Sequence, residues 1–135
     1  MKTANDKAAI DALTAHFYGA FTNTDGPPDV DRLYDVFIPD AVIVNNAGGK
    51  LAVYDIDGFA EPRRELLTDG RFRAFCEYET SEVTVIFQHI AQRFSRYEKS
   101  WQDNDGTKRG AGAKSLQFVR TPSGWKIASL VWDDV

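Results

Sequence analysis

The chain has 135 residues, a formal net charge of −4, 43% hydrophobic and 13% aromatic residues, and a single cysteine. That length fits one domain spanning residues 1–135, with enough buried surface for a core, and the apolar content argues against disorder. The acidic balance without any lysine or arginine cluster argues against a nucleic-acid partner, Cys76 alone excludes an internal disulfide and a cysteine metal framework, and no apolar run approaches membrane-spanning length. The opening stretch MKTANDKAAIDAL lacks the apolar centre of a signal peptide, so the expectation is a cytoplasmic protein with no membrane partner, no cofactor and no metal.

Ile10, Leu13, Phe17, Ala20 and Phe21 recur at helical spacing and predict a first helix over 3–22, capped by Thr3 or Asn5. Asn23-Thr24-Asp25-Gly26-Pro27-Pro28 ends it, because two prolines and a glycine cannot continue a helix. Asp29 caps a short second helix carrying Val30, Leu33, Tyr34 and Phe37, closed by Pro39-Asp40. Ala41 to Asn45 is a short strand, Asn46 to Gly49 a turn, and Leu51 to Tyr54 the returning strand. Asp55 or Asp57 caps a third helix, Gly58 to Leu67, with Pro62 in its first turns and Glu61-Pro62-Arg63-Arg64-Glu65 as a solvated face.

From Arg71 onward the pattern is strands alone. Phe72 to Phe87 sets Val83, Val85 and Phe87 on one face; Ala91 to Gln102 sets Tyr97 and Trp101 on one face and Phe94 on the other. Asp103-Asn104-Asp105-Gly106 turns the chain into Lys108 to Arg120, where Gly110 and Gly112 mark a bend or bulge. The closing hairpin is the clearest local signal. Thr121-Pro122-Ser123-Gly124 supplies the turn, Leu116 and Phe118 share a face, and Trp125, Ile127 and Val131 alternate with Ala128, Leu130 and Trp132. Strict alternation makes that last strand apolar on both faces, which predicts cover on both sides. Helices first and strands after give an α+β class: a strongly curved, mainly antiparallel sheet wrapping three N-terminal helices.

This order, with AVIVN after the second helix and the closing G-W-K-I-A-S-L hairpin, resembles the nuclear transport factor 2-like superfamily, which includes SnoaL-like polyketide cyclases, ketosteroid isomerases and limonene epoxide hydrolases. The resemblance covers nearly the whole chain and implies one cone-shaped SnoaL-like domain, a pocket at its open end and a homodimer through the outer face of the sheet. Its motifs are apolar patterns, so it speaks to fold more than to chemistry. The ketosteroid isomerase positions, an Asp base with a Tyr and a protonated Asp, fall here on Asn45, Phe17 and Lys114. Phe17 has no hydroxyl, Asn45 cannot take a proton near neutral pH, and Lys114 would meet an oxyanion differently, which argues against steroid-type isomerisation. The epoxide hydrolases resemble an Asp-Arg-Asp arrangement where this chain has Tyr97, Lys99 and Trp132, with Asp133 adjacent.

The candidate catalytic residues are therefore Asn45, to orient a carbonyl or water, Lys114, to meet developing negative charge, and Asp133, to move a proton. Phe17, Tyr97, Lys99 and Trp101 are the candidate ligand-binding residues. Tyr97, Lys99 and Trp101 share one strand face; if it is concave they wall the pocket, and if convex they belong to the core or a dimer surface. Lys99 and Asp133 form a candidate pair. His16 and His89 have no partner at metal-ligand spacing, and Asp103 to Gly106 is explained by a hairpin turn. Two functions follow: a small-molecule pocket for an apolar, oxygenated ligand, with isomerase-, cyclase- or hydrolase-type chemistry, or a non-catalytic dimerising module that binds a ligand or protein.

Overall fold

A computed structural model describes residues 2–135, with side chains from Ala4 onward. The first helix, α1, runs Lys2–Gly19. Asn5 lies inside it and is not its cap, and the Thr3 side chain expected as the alternative cap lies outside the described residues. There follow α2 (Arg32–Val36), β1 (Phe37–Asn45), a 3-10 turn at Ala47–Gly49, β2 (Ala52–Tyr54), α3 (Ile56–Leu66), β3 (Arg73–Phe87), β4 (Ile90–Asp103), β5 (Gly106–Thr121) and β6 (Gly124–Asp134). The α3 cap is Asp55, whose carboxylate accepts the Gly58 N–H at 2.7 Å.

Two boundaries depart from the sequence expectation. The second helix stops before Phe37, and β1 starts there, four residues before Ala41 and through Pro39. The β1–β6 register breaks between Phe37 and Val42, so Pro39, which has no N–H, sits where the ladder is interrupted.

The sheet has six strands in the order β2-β1-β6-β5-β4-β3; every neighbouring pair is antiparallel except β1 with β6, which is parallel. It is curved and open, and the helices lie against its concave face, where Ile10, Phe17, Leu33, Ile43, Leu116 and Leu130 are fully buried. No helix among the described residues is long and apolar enough to cross a membrane.

Among the register shifts of the sheet, one in β6 and one in β3 decide which side chains face inward on either side of them. Gln117 pairs with Ser129 but Phe118 pairs with Ile127, so Ala128 is an extra residue in β6. The bulge resets the alternation: Trp125 and Ile127 point inward before it, and Leu130 and Trp132 after it. The expectation of a last strand apolar on both faces is thereby corrected, because beyond the bulge only Val131 presents a large apolar side chain outward. In β3, Glu79 pairs with Tyr97 and Ser81 with Arg96, leaving Thr80 as the extra residue. Phe75, Glu77 and Glu79 therefore face inward, whereas Val83, Val85 and Phe87 face out.

α1 is tied to the sheet by charge as well as packing. Arg93, 3% exposed, donates to Glu79 at 2.5 Å and to Asp11 of α1 at 2.6 Å, with Glu82 at 3.6 Å. Lys7 bridges Asp11 and Glu82 from the other side, and the Tyr18 hydroxyl meets Ser95, which in turn donates to Glu79. A buried guanidinium needs this many acceptors, since each unmet donor would be left desolvated.

Candidate functional site

The strand register sets out the polar residues of the concave face in rows. Glu77, Lys99 and Gly110 lie side by side across β3, β4 and β5; Glu79, Tyr97, Gly112 and Asp134 form the next row through β6; Ser95, Lys114 and Trp132 the one after. The two glycines are what allow long side chains to lie flat across β5. A Cβ on Gly112 would stand 2.5 Å from the Tyr97 hydroxyl oxygen, and one on Gly110 would stand 2.8 Å from the Lys99 side chain. Across that smooth strip the Tyr97 hydroxyl donates to Asp134, and Lys99 Nζ reaches the other Asp134 oxygen at 3.2 Å.

Above these rows α3 closes a partly open cavity of about 240 Å³. Its apolar wall comes from Phe21 just after α1, Phe59 and Leu66 of α3, Leu67, Phe72 ahead of β3 and Phe75 within it. Trp132 lies edge-on to Phe59, with ring centroids 5.6 Å apart. The polar part is Glu77, Tyr97, Lys99 and Lys114 on the sheet and Arg63 on α3. The cavity volume lies above the roughly 150 Å³ that admits a benzene ring.

The deepest charges are paired. Lys114 Nζ lies 3.1 Å from Glu77 Oε1, with side chains only 6% and 8% exposed, and 4.0 Å from the centre of the Tyr97 ring. Burial pushes the Lys114 ammonium below the usual lysine value, and Glu77 partly offsets this. The Tyr97 phenol is held far above its usual range, first by burial and then by its hydrogen bond to Asp134, so it remains a neutral donor. The third cation, Arg63, lies 3.9 Å from the Phe59 ring centroid and 5.3 Å from that of Trp132. Burial pushes its guanidinium below the usual arginine value, while Tyr54 and Glu77 pull the other way.

The sequence candidates divide cleanly by position. Tyr97, Lys99 and Lys114 line the cavity. Trp101 lies behind the wall, stacked on Phe72 at 5.1 Å, with an indole N–H that is buried and unpartnered among the described residues. Phe17 is fully buried in the core between Tyr18, Phe21 and Phe37 and does not line the cavity. Asn45 is level with Trp132 in the ladder, but its side-chain oxygen accepts the Ala47 N–H at 2.9 Å. Asp133 accepts the Gly48 N–H at 3.2 Å, so these two residues shape the turn after β1 and lie outside the cavity lining. Lys99 pairs with Asp134 and not with Asp133.

Glu77, Arg63 and Asp134 were missed by the sequence reading, although two carry a signal. Arg63 follows Phe59 by four residues and so shares its helix face, which corrects the solvated face expected for 61–65 at Arg63, while Glu61, Pro62 and Glu65 are exposed as expected. Glu77 follows Phe75 by two and so shares its inward strand face. Together the residues offer an apolar slot, an ammonium beside a carboxylate at its floor, and a guanidinium in its wall: groups that can hold an oxygenated ligand and donate or accept a proton.

No protein-family model matches this chain, and no curated protein sequence does. Solved structures do match. A proposed aromatic ring hydroxylase from Novosphingobium aromaticivorans is 21% identical with a TM-score of 0.79, covering 98% of this chain and 90% of that one. A nuclear transport factor 2-like superfamily protein from Salmonella enterica is 14% identical with a TM-score of 0.79, covering 98% and 92%. A second Novosphingobium aromaticivorans protein, nuclear transport factor 2-like with a cystatin-like fold, is 15% identical with a TM-score of 0.74, covering 99% and 84%. At these identities the likeness is one of fold, and this chain has the nuclear transport factor 2-like fold.

Proposed function

We propose that this chain binds a small, apolar, oxygenated organic molecule in the cavity between α3 and the concave face of the sheet. The observation that carries the reading is the Lys114–Glu77 ion pair at the floor of a cavity walled mainly by aromatic and aliphatic side chains. A buried ion pair is a poor stabiliser, because replacing it by well-packed apolar side chains is often neutral or favourable by about 1–4 kcal/mol. Its place in a cavity wall therefore points to a ligand. A cavity of this volume accommodates a single ring, and the loss of the isomerase positions argues against a steroid. A fold neighbour proposed to hydroxylate aromatic rings fits a ligand of that size, as an analogy of fold only.

The reaction the groups suit is a proton transfer next to a ligand oxygen. Lys114 would donate to an oxygen that gains negative charge, and Glu77 would take up or return the proton. This replaces Asn45 and Asp133 as the polar pair of the site. A thermal-shift screen of single-ring alcohols, ketones and acids tests it. A hit should raise the melting temperature of the wild type and fail to raise that of Lys114→Met or Glu77→Gln.

A homodimer through the outer face of the sheet belongs to the same reading. Val83, Val85, Phe87, Ile90 and Phe94 on β3 and β4 are 67%, 54%, 68%, 57% and 47% exposed, and Val83 and Phe94 are directly paired. A contiguous apolar patch of this kind suits a second copy better than water. The same patch favours the second reading, a dimerising module without catalysis; both readings keep the dimer in the Lys114 and Glu77 variants, and only the first predicts turnover of a bound ligand that those variants lose.

A further inference from the structure

The three cations of the cavity are unequally matched. Lys114 has Glu77 at 3.1 Å and Lys99 has Asp134 at 3.2 Å. Arg63 has no carboxylate within ion-pair distance among the described residues. Its one side-chain hydrogen bond there, at 3.1 Å, runs from Nη1 to the Phe59 carbonyl oxygen of its own helix. Its Cζ lies 3.9 Å from the Phe59 ring centroid, and the side chain lines the cavity. Contact with an aromatic face recovers only part of the hydration that a half-buried guanidinium loses. By contrast Arg64, the next residue, has Asp31 at 2.6 Å and Glu61 at 3.5 Å.

We propose that Arg63 is the receptor for a carboxylate, and that the ligand is a single-ring aromatic or alicyclic monocarboxylate. The inference rests on the reading of the cavity as a ligand site and adds the ligand's charge. Counting Asp134, three cations meet two carboxylates around the cavity, so one negative charge completes the balance and a dianion would exceed it. The planar guanidinium fork matches the two oxygens of a carboxylate. The geometry sets the ring between the two ends. Arg63 Cζ and Lys114 Nζ each lie 5.3 Å from the centroid of the same Trp132 ring, so they stand no farther apart than twice that distance. A ring that carries its carboxylate to Arg63 then rests against Trp132 and Phe59 and turns its far edge, with any oxygen there, towards Lys114 and Glu77.

Isothermal titration of the full chain with benzoate and with benzamide, its neutral counterpart of nearly the same shape, tests this. Benzoate should bind roughly 10- to 100-fold more tightly, the span expected for a charge-assisted hydrogen bond. Arg63→Met should abolish that preference and leave benzamide affinity in place, Arg63→Lys should retain part of it, and Arg64→Met should leave it unchanged. Equal affinity of the wild type for both probes overturns the carboxylate inference while leaving the ligand cavity standing. Binding of neither probe overturns both. A preference that persists in Arg63→Met assigns the carboxylate to another cation and overturns the role of Arg63.

Discussion

Tyr97 and Gly112 are direct partners across β4 and β5, and the missing Cβ of Gly112 is what lets the Tyr97 hydroxyl reach Asp134 on the far side of β5. Gly110 does the same for Lys99. The polar floor of the cavity thus depends on two residues without side chains. Gly112→Ala should press its Cβ against both the Asp133 backbone carbonyl and the Tyr97 ring and lower stability by about 1–3 kcal/mol, the usual range for overpacking a filled site. Urea unfolding of the variant measures it, and an unchanged midpoint would show that the neighbouring strand and the ring both have room to yield.

Lys114 and Glu77 should behave as a pair. Lys114→Met alone leaves a desolvated carboxylate and should cost about 3–5 kcal/mol, whereas Lys114→Met with Glu77→Leu should recover most of that loss. Ligand binding should be absent in both. A double variant as unstable as the single would mean that the pair holds the fold and not the ligand.

Acid should loosen the contact between α1 and the sheet. Burial pushes the Asp11 carboxyl up, but its bonds to Arg93 and Lys7 outweigh this and hold it below the usual value. Glu82 is likewise held low, chiefly by the Thr84 hydroxyl, against burial and with help from Lys7. Groups with depressed native values bind fewer protons folded than unfolded, so their contribution is present above the ordinary carboxylate range near pH 4 and is lost as the pH falls through the native values. Arg93→Met should flatten that acid limb of stability. It should cost roughly 1–3 kcal/mol at neutral pH, discounted because the Asp11 side chain is 46% exposed. Chemical denaturation at a series of pH values reads both effects.

The outer face should be separable from the cavity. Phe94→Lys places a charge at the centre of the exposed apolar patch, beside Val83, without touching a cavity residue. Sedimentation should find a dimer for the wild type and a monomer for the variant, with ligand affinity retained. A wild-type monomer at every concentration would remove the dimer from the account.

Much of the fold was legible because period-two and helical patterns report on single elements: the third helix, the four long strands and both hairpin turns at Gly106 and Gly124 stand within a few residues of their expected places. What the sequence could not report was parity across an irregularity. Thr80 and Ala128 are each one extra residue in a strand, and each reverses which neighbours face inward. That is why the last strand reads as two-faced in sequence and is mostly one-sided in space, and why Val83 and Glu77, both at odd positions of one strand, face opposite ways. The site was half legible for the same reason. Tyr97, Lys99 and Lys114 lie on regular stretches, whereas the carboxylates that complete them come from Glu77, far away in sequence, and from Asp134, one residue beyond the expected position.

The most direct test of the ligand cavity is amide chemical-shift mapping of the labelled protein during titration with benzoate. Saturable shifts are expected at Leu67, Phe75, Tyr97, Lys114 and Trp132, which line the cavity, with Val85 and Phe94 on the outer face unmoved. Saturable shifts confined to the outer face, or no saturable shift for benzoate or for benzyl alcohol in its place, would contradict it.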